Sequence, residues 1–232
     1  MTETTPRRTP AFLHGQPALG DLDPPDVLAG ETLAAPPRQE RSRRTREALI
    51  AAARERFASH GYEATSVEDI AKDARIAVGG FYLHFRTKRQ VLLMLVDRLL
   101  HELGSEPWSE PHDDAAGVMQ RIARRIGREF AHAGVYRAWC EAASRDPSLA
   151  VLQERIEAWA TAGIAAALDP IAASPRARPN VDVPTVSYML SVVYWRLLDT
   201  EIADRAALSD TLVAALRHVL FEDAAPEPDE DA

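Results

Sequence analysis

A chain of 232 residues, 46% hydrophobic and 27% charged, is long enough for a sizeable core in one or two domains. Its single cysteine, Cys140, excludes an internal disulfide framework and a cysteine-rich zinc site, and no run approaches the roughly 20 apolar residues of a membrane span. The formal net charge of -8 argues at first against nucleic acid, because a phosphate-facing surface should be basic.

Residues 1–37 hold seven prolines (Pro6, Pro10, Pro17, Pro24, Pro25, Pro36 and Pro37) and no sustained apolar period, so they are expected to form a disordered arm. Arg7-Arg8 is not followed by a signal-peptide core, and a reducing cytoplasm fits the cysteine usage. Residues 38–90 then reverse the charge. They carry twelve Lys+Arg against seven Asp+Glu, a local net of +5, which leaves -13 on the rest of the chain. An acidic remainder would repel DNA and let one basic face orient the encounter.

Within 38–90 the apolar period is helical. Leu49, Ala53 and Phe57 recur every four residues beside Ile50, and Gly61 follows where a helix end favours positive φ. Thr65-x-x-Glu68 and Ser66-x-x-Asp69 both fit a capping box for a second helix, whose inward face is Val67, Ile70, Ala71 and Ala74. Arg75, Ile76 and Ala77 make a turn, and Val78 to His84 form a short third helix with Phe81 and Phe85 inward. This is the plan of a helix-turn-helix DNA reader.

A longer helix runs from Lys88 to about Leu103, and further helices are expected near 114–132, 134–145, 147–168, 182–203 and 208–222. Asp146-Pro147 and Asp182-x-Pro184 are plausible starts, residues 173–180 a loop, and residues 224–232 an acidic tail. With no convincing β alternation, the chain is read as all-α with about nine helices: a DNA-binding domain over 38–90 and a further helical domain over 91–223.

The segments SHGYEATSVEDIA (59–71), ARIAVGGFYLHF (74–85) and RTKRQVL (86–92) together resemble the TetR family of transcriptional regulators. The resemblance implies a three-helix DNA reader, a fourth helix linking it to a ligand-binding helical body, and a homodimer closed by the last two long helices. It implies a regulator, usually a repressor, that leaves a pseudo-palindromic double-stranded operator when a small-molecule inducer binds. Matching positions place Tyr82, His84 and Lys88 along the DNA backbone, with Ser66 capping the second helix where N–H groups can also meet a phosphate.

Arg41, Arg43, Arg44 and Arg46 can reach phosphates or an adjacent groove, or form a solvated basic face. Where the family often has Gly-Val-Ser-Lys-Gly-Thr, this chain has Arg75, Ile76, Ala77, Val78, Gly79 and Gly80. Base reading is therefore expected to lean on apolar contact from Val78 to a thymine methyl and on close backbone approach at Gly79-Gly80, with no polar contact from Ala77.

Phe130, Tyr136, Trp139, Trp159, Tyr188, Tyr194 and Trp195 are candidates for an inducer pocket, and ordinary core is the alternative for each. Phe130, Trp139, Cys140, Trp159 and Tyr188 form the candidate set. Cys140 has no adjacent cation to stabilise a thiolate, so burial is the expected role. Glu129-x-x-His132 lacks the second such pair that a di-iron site requires, and His112-Asp113-Asp114 lacks partner ligands. No metal, cofactor or catalytic residue is expected, since no P-loop, GxGxxG or Gly-x-Ser-x-Gly is present. A helical ligand-binding or ligand-modifying protein with a structural N-terminal module is the competing reading.

Overall fold

The computed structural model describes residues 23–35, 38–105, 132–175, 177–199 and 205–221. Among them are eight helices and no strand: α1 (Glu40–His60), α2 (Val67–Asp73), α3 (Val78–Tyr82), α4 (Lys88–Gly104), α5 (Ala133–Ala143), α6 (Pro147–Ala172), α7 (Val183–Asp199) and α8 (Arg205–Leu220). The expected helix near 114–132 and the acidic tail lie outside the described residues.

Helix boundaries follow local chemistry. Gly61 ends α1 at φ 84°, its N–H donating to the Phe57 carbonyl. Ser66, not Thr65, caps α2: its hydroxyl accepts from the Asp69 N–H while the Asp69 carboxylate accepts from the Ser66 N–H. Thr87 caps α4 by accepting from the Gln90 N–H, and Asp146 caps α6 ahead of Pro147. Helix α6 runs four residues past the expected end and carries Pro170 in its last turn.

Helices α1 to α3 pack together, α1 also lies on α4 and α5, and α5 joins α4, α6 and α7. One apolar cluster runs through these elements, from Leu49, Phe57, Ile70, Phe81 and Phe85 through Leu92 and Leu93 to Trp139, Leu149 and Trp159. Burying each such side chain contributes about 1.5–3 kcal/mol, so the boundary expected at 90/91 falls inside a shared core. A second cluster, Leu168, Ile171, Val183, Leu216 and Leu220, joins α6, α7 and α8. Gly134 lets α5 approach α1 closely: a Cβ there would meet the Ala58 Cβ at 2.4 Å.

Part of the expected disordered arm is packed. Val27 is 1% exposed within the main cluster, and Leu28 and Leu33 lean against it. Proline content suggested a segment unable to bury apolar area; three aliphatic side chains over seven residues suffice because they add to a core made elsewhere.

Candidate nucleic-acid interface

The turn between α2 and α3 is a Schellman closure. The Ile76 N–H donates to the Ala71 carbonyl at 2.9 Å and the Arg75 N–H to the Lys72 carbonyl at 3.0 Å. Arg75 therefore takes the left-handed position at φ 58°, where glycine is usual. Ile76 turns inward against the core.

This closure aims α3 outward. Phe81 and Phe85 are fully buried, anchoring one side of the short helix, while Val78, Tyr82 and Leu83 are exposed, Leu83 at 76% and Tyr82 at 54%. Gly79 is exposed with open space where a Cβ would stand, so it permits close approach. Gly80 serves packing instead, since a Cβ there would come within 2.6 Å of the Ile76 Cγ2. Ala77 is exposed at the helix start. Leu83, beside them, was missed in the sequence because an apolar residue next to Phe81 reads as core.

Arg75 and Arg86 flank α3 in the chain, and further arginines open α1. Arg41, Arg43, Arg44, Arg75 and Arg86 are exposed. Arg43 and Arg44 share Glu40 at 2.7 and 3.0 Å, surface pairs worth little in water and readily exchanged for a phosphate. Arg46 instead lies over the Phe85 ring, 5.4 Å from its centroid.

Two residues expected along the DNA backbone are placed otherwise. His84 is 7% exposed; burial and then the neighbouring Arg46 guanidinium lower its pKa, which favours the neutral ring. The Lys88 ammonium is drawn inward, donating to the carbonyls of Tyr62 at 2.7 Å, Thr65 at 3.0 Å and Glu63 at 3.3 Å, over the Tyr62 ring. It cancels the orphan carbonyls of the α1–α2 connection, so its cationic chemistry is spent inside the protein. Ser66 is engaged in the capping box.

The pocket candidates do not converge. Phe130 lies outside the described residues. Trp139 is buried and donates its indole N–H to the Gln153 side-chain carbonyl; Trp159 is buried in the same core and approaches Gly104. Cys140 hydrogen-bonds Tyr136, whose hydroxyl pKa is raised first by burial and then by Cys140. Tyr188 stands apart, exposed on α7 with Met189, Val192 and Val193.

Around Tyr136 the structure assembles a polar network absent from the sequence reading. Gln153 donates to the Tyr136 hydroxyl at 2.9 Å and to Glu157 at 2.6 Å, and Trp195 stacks on Tyr136 at 5.0 Å. Gln153 and Glu157 were missed because polar residues on a long helix read as its wet face. An open cleft of about 210 Å³ between α1, α4 and α5, lined by Glu47, Ile50, Arg98, Glu102, His132 and Val135 among others, shares no residue with the candidate set.

Among the described residues no group of His, Cys, Asp and Glu could hold a metal ion, and no helix is long and apolar enough to cross a membrane.

The family model for bacterial regulatory proteins of the tetR family matches residues 49–95, which span α1 from Leu49 through the first half of α4. The chain is 34% identical to the transcriptional regulator TcmR of Streptomyces glaucescens over 94 residues, 38% of this chain and 42% of that one. To the regulator EthR of Mycolicibacterium smegmatis it is 29% identical over 197 residues, 79% of this chain and 89% of that one. It spans less than half the length of most curated relatives it matches.

The fold is similar to SmeT, solved in complex with triclosan, at TM-score 0.62 and 20% identity over 80% of this chain and 95% of that one. A tetR-family regulatory protein from Rhodococcus RHA1 superposes at TM-score 0.60 and 21% identity, over 77% and 98%. TcmR and EthR are both helix-turn-helix-type transcriptional regulators. Over residues 49–95 the chain matches the tetR-family model, and the fold that continues from this reader is similar to that of solved TetR-family proteins.

Proposed function

We infer that the chain is a cytoplasmic, homodimeric transcriptional repressor that binds a pseudo-palindromic operator and leaves it when a small-molecule inducer occupies the helical body. The observation that carries the DNA-binding part is the outward face of α3, where Val78, Gly79, Tyr82 and Leu83 stand exposed on a helix anchored from behind by Phe81 and Phe85. A helix so held can enter a major groove, with Val78 and Leu83 suited to thymine methyl groups, Tyr82 to the backbone, and Arg43, Arg44 and Arg75 to phosphates. Residues 38–90 act as the reader, and the helices after them form the body.

The dimer is supported by α7 and α8, which expose Tyr188, Met189, Val192, Val193 and Val219, with Met189 at 61%. Two such helices from each subunit would bury these faces in a four-helix bundle across a two-fold axis. The inducer reading is supported by the network of Tyr136, Gln153 and Glu157. The Trp195 indole N–H and an N–H of Arg137, which follows Tyr136 in the chain, are buried without a hydrogen-bond partner among the described residues, which suits an inducer carrying an acceptor oxygen. NalD of Pseudomonas aeruginosa, of similar fold, is a secondary repressor of a multidrug efflux pump.

Titration of the full chain against DNA from upstream of its own coding sequence, beside a random duplex of equal length, tests this reading. Tighter, saturable binding by a dimer to the upstream fragment is expected. Equal affinity for both duplexes would favour a helical ligand-binding protein whose N-terminal module is structural.

A further inference from the structure

The arm that packs on the body does so along one helix. Pro24 covers the C-terminal end of α4, where its Cδ lies 3.2 Å from the position a Cβ on Gly104 would take. Val27 is buried and Leu28 half-buried against the main core. Glu31 and Thr32 reach the opposite end, the first turn of α4. The arm therefore runs antiparallel to α4 along most of its length, with a turn closed by the Glu31 N–H donating to the Leu28 carbonyl at 3.0 Å.

At that first turn the contacts are directional. The Arg89 guanidinium donates to one oxygen of Glu31, to Asp146 at 3.1 Å and to the Ser148 hydroxyl at 3.0 Å. The Gln90 amide donates to the other Glu31 oxygen at 3.3 Å and to the Thr32 carbonyl at 3.2 Å, while its own oxygen accepts from the Arg86 N–H at 2.9 Å. Glu31 thus clamps the α3–α4 turn on one side and, through Arg89, the start of α6 on the other. Arg89 and Glu31 are both largely shielded from water, so their charges are screened less than a surface pair.

We propose that residues 24–33 are a strap that sets the angle between the DNA reader and the helical body, with Glu31 as its positioning residue. This rests on the operator-binding reading above. The turn that Gln90 fastens carries the recognition helix, and the Asp146–Ser148 corner belongs to the body. Two recognition helices of a dimer must meet half-sites about one helical turn apart, whereas non-specific electrostatic binding tolerates a range of angles. Fastening the joint therefore favours the operator without adding any contact to DNA.

The test uses the full chain, a duplex that this chain enriches from a randomised library, and a random duplex of equal length. Glu31→Ala is expected to weaken binding to the enriched duplex five- to tenfold while affinity for the random duplex stays within twofold. Glu31→Gln, which keeps an acceptor for Arg89, should recover part of the loss. Amide exchange over residues 86–92 reports release of the turn directly and should quicken in Glu31→Ala. Unchanged affinity for the enriched duplex, or an equal loss on both duplexes, would overturn the proposal. Failure of the unaltered chain to enrich any duplex would instead overturn the operator reading.

Discussion

Arg75 holds a left-handed conformation that costs an L-residue roughly 1 kcal/mol, and the Schellman bonds around it leave no other geometry open. Glycine at this position should therefore raise stability by about 0.5–1 kcal/mol, read as a shift in the urea midpoint at unchanged slope. A lower midpoint for Arg75→Gly would mean that the guanidinium contributes more than the backbone loses. His84 carries a prediction of opposite character. Its folded-state pKa is depressed, so the unfolded chain binds the proton more readily. The stability this confers is complete above the unfolded value of about 6.5 and is lost as pH falls through the lower folded value. Urea midpoints measured across this window should fall with acid more steeply for the parent chain than for His84→Gln; identical slopes would place the acid sensitivity elsewhere.

At the scale of elements, two residues decide how the reader is seated. Lys88 joins the start of α4 to the α1–α2 connection through three carbonyls, so Lys88→Met should cost about 2 kcal/mol of stability while leaving the salt dependence of DNA binding unchanged. A salt slope reduced by about one would return Lys88 to the phosphate backbone. Gly134→Ala should force α5 away from α1 and destabilise the chain by about 1–3 kcal/mol, because the clash is with the Ala58 main chain as well as its side chain. A stabilised Gly134→Ala would show that the helix pair accommodates a methyl. The helices themselves were legible from apolar repeats such as Leu49, Ala53 and Phe57, and the α2 cap from Ser66 and Asp69. Lys88 was not, because its acceptors are main-chain carbonyls that every residue carries and that only the fold turns toward it. Val27 was hidden for a related reason: an extended strap needs no periodicity, only a core to lie on. Gln153 and Glu157 are legible as a half-buried pair only once the fold brings the Tyr136 hydroxyl to Gln153.

For the whole molecule, the charge division and the exposed apolar faces account for most of what the average composition conceals. A net of -8 coexists with a reader segment of +5, and the recognition helix presents apolar tips with basic side chains nearby in the sequence. Such a surface gains affinity from phosphates and discrimination from groove contacts, which separates the two in experiment. Because one core runs from the reader into α5 and α6, a ligand in the body would act on DNA affinity by shifting a packed joint, and DNA would reduce ligand affinity by the same factor. The most direct measurement is selection of the full chain against a randomised duplex library. The account predicts enrichment of an inverted repeat bound by a dimer, with affinity that falls steeply with salt. Recovery of no common sequence, or of one without two-fold symmetry, would contradict it.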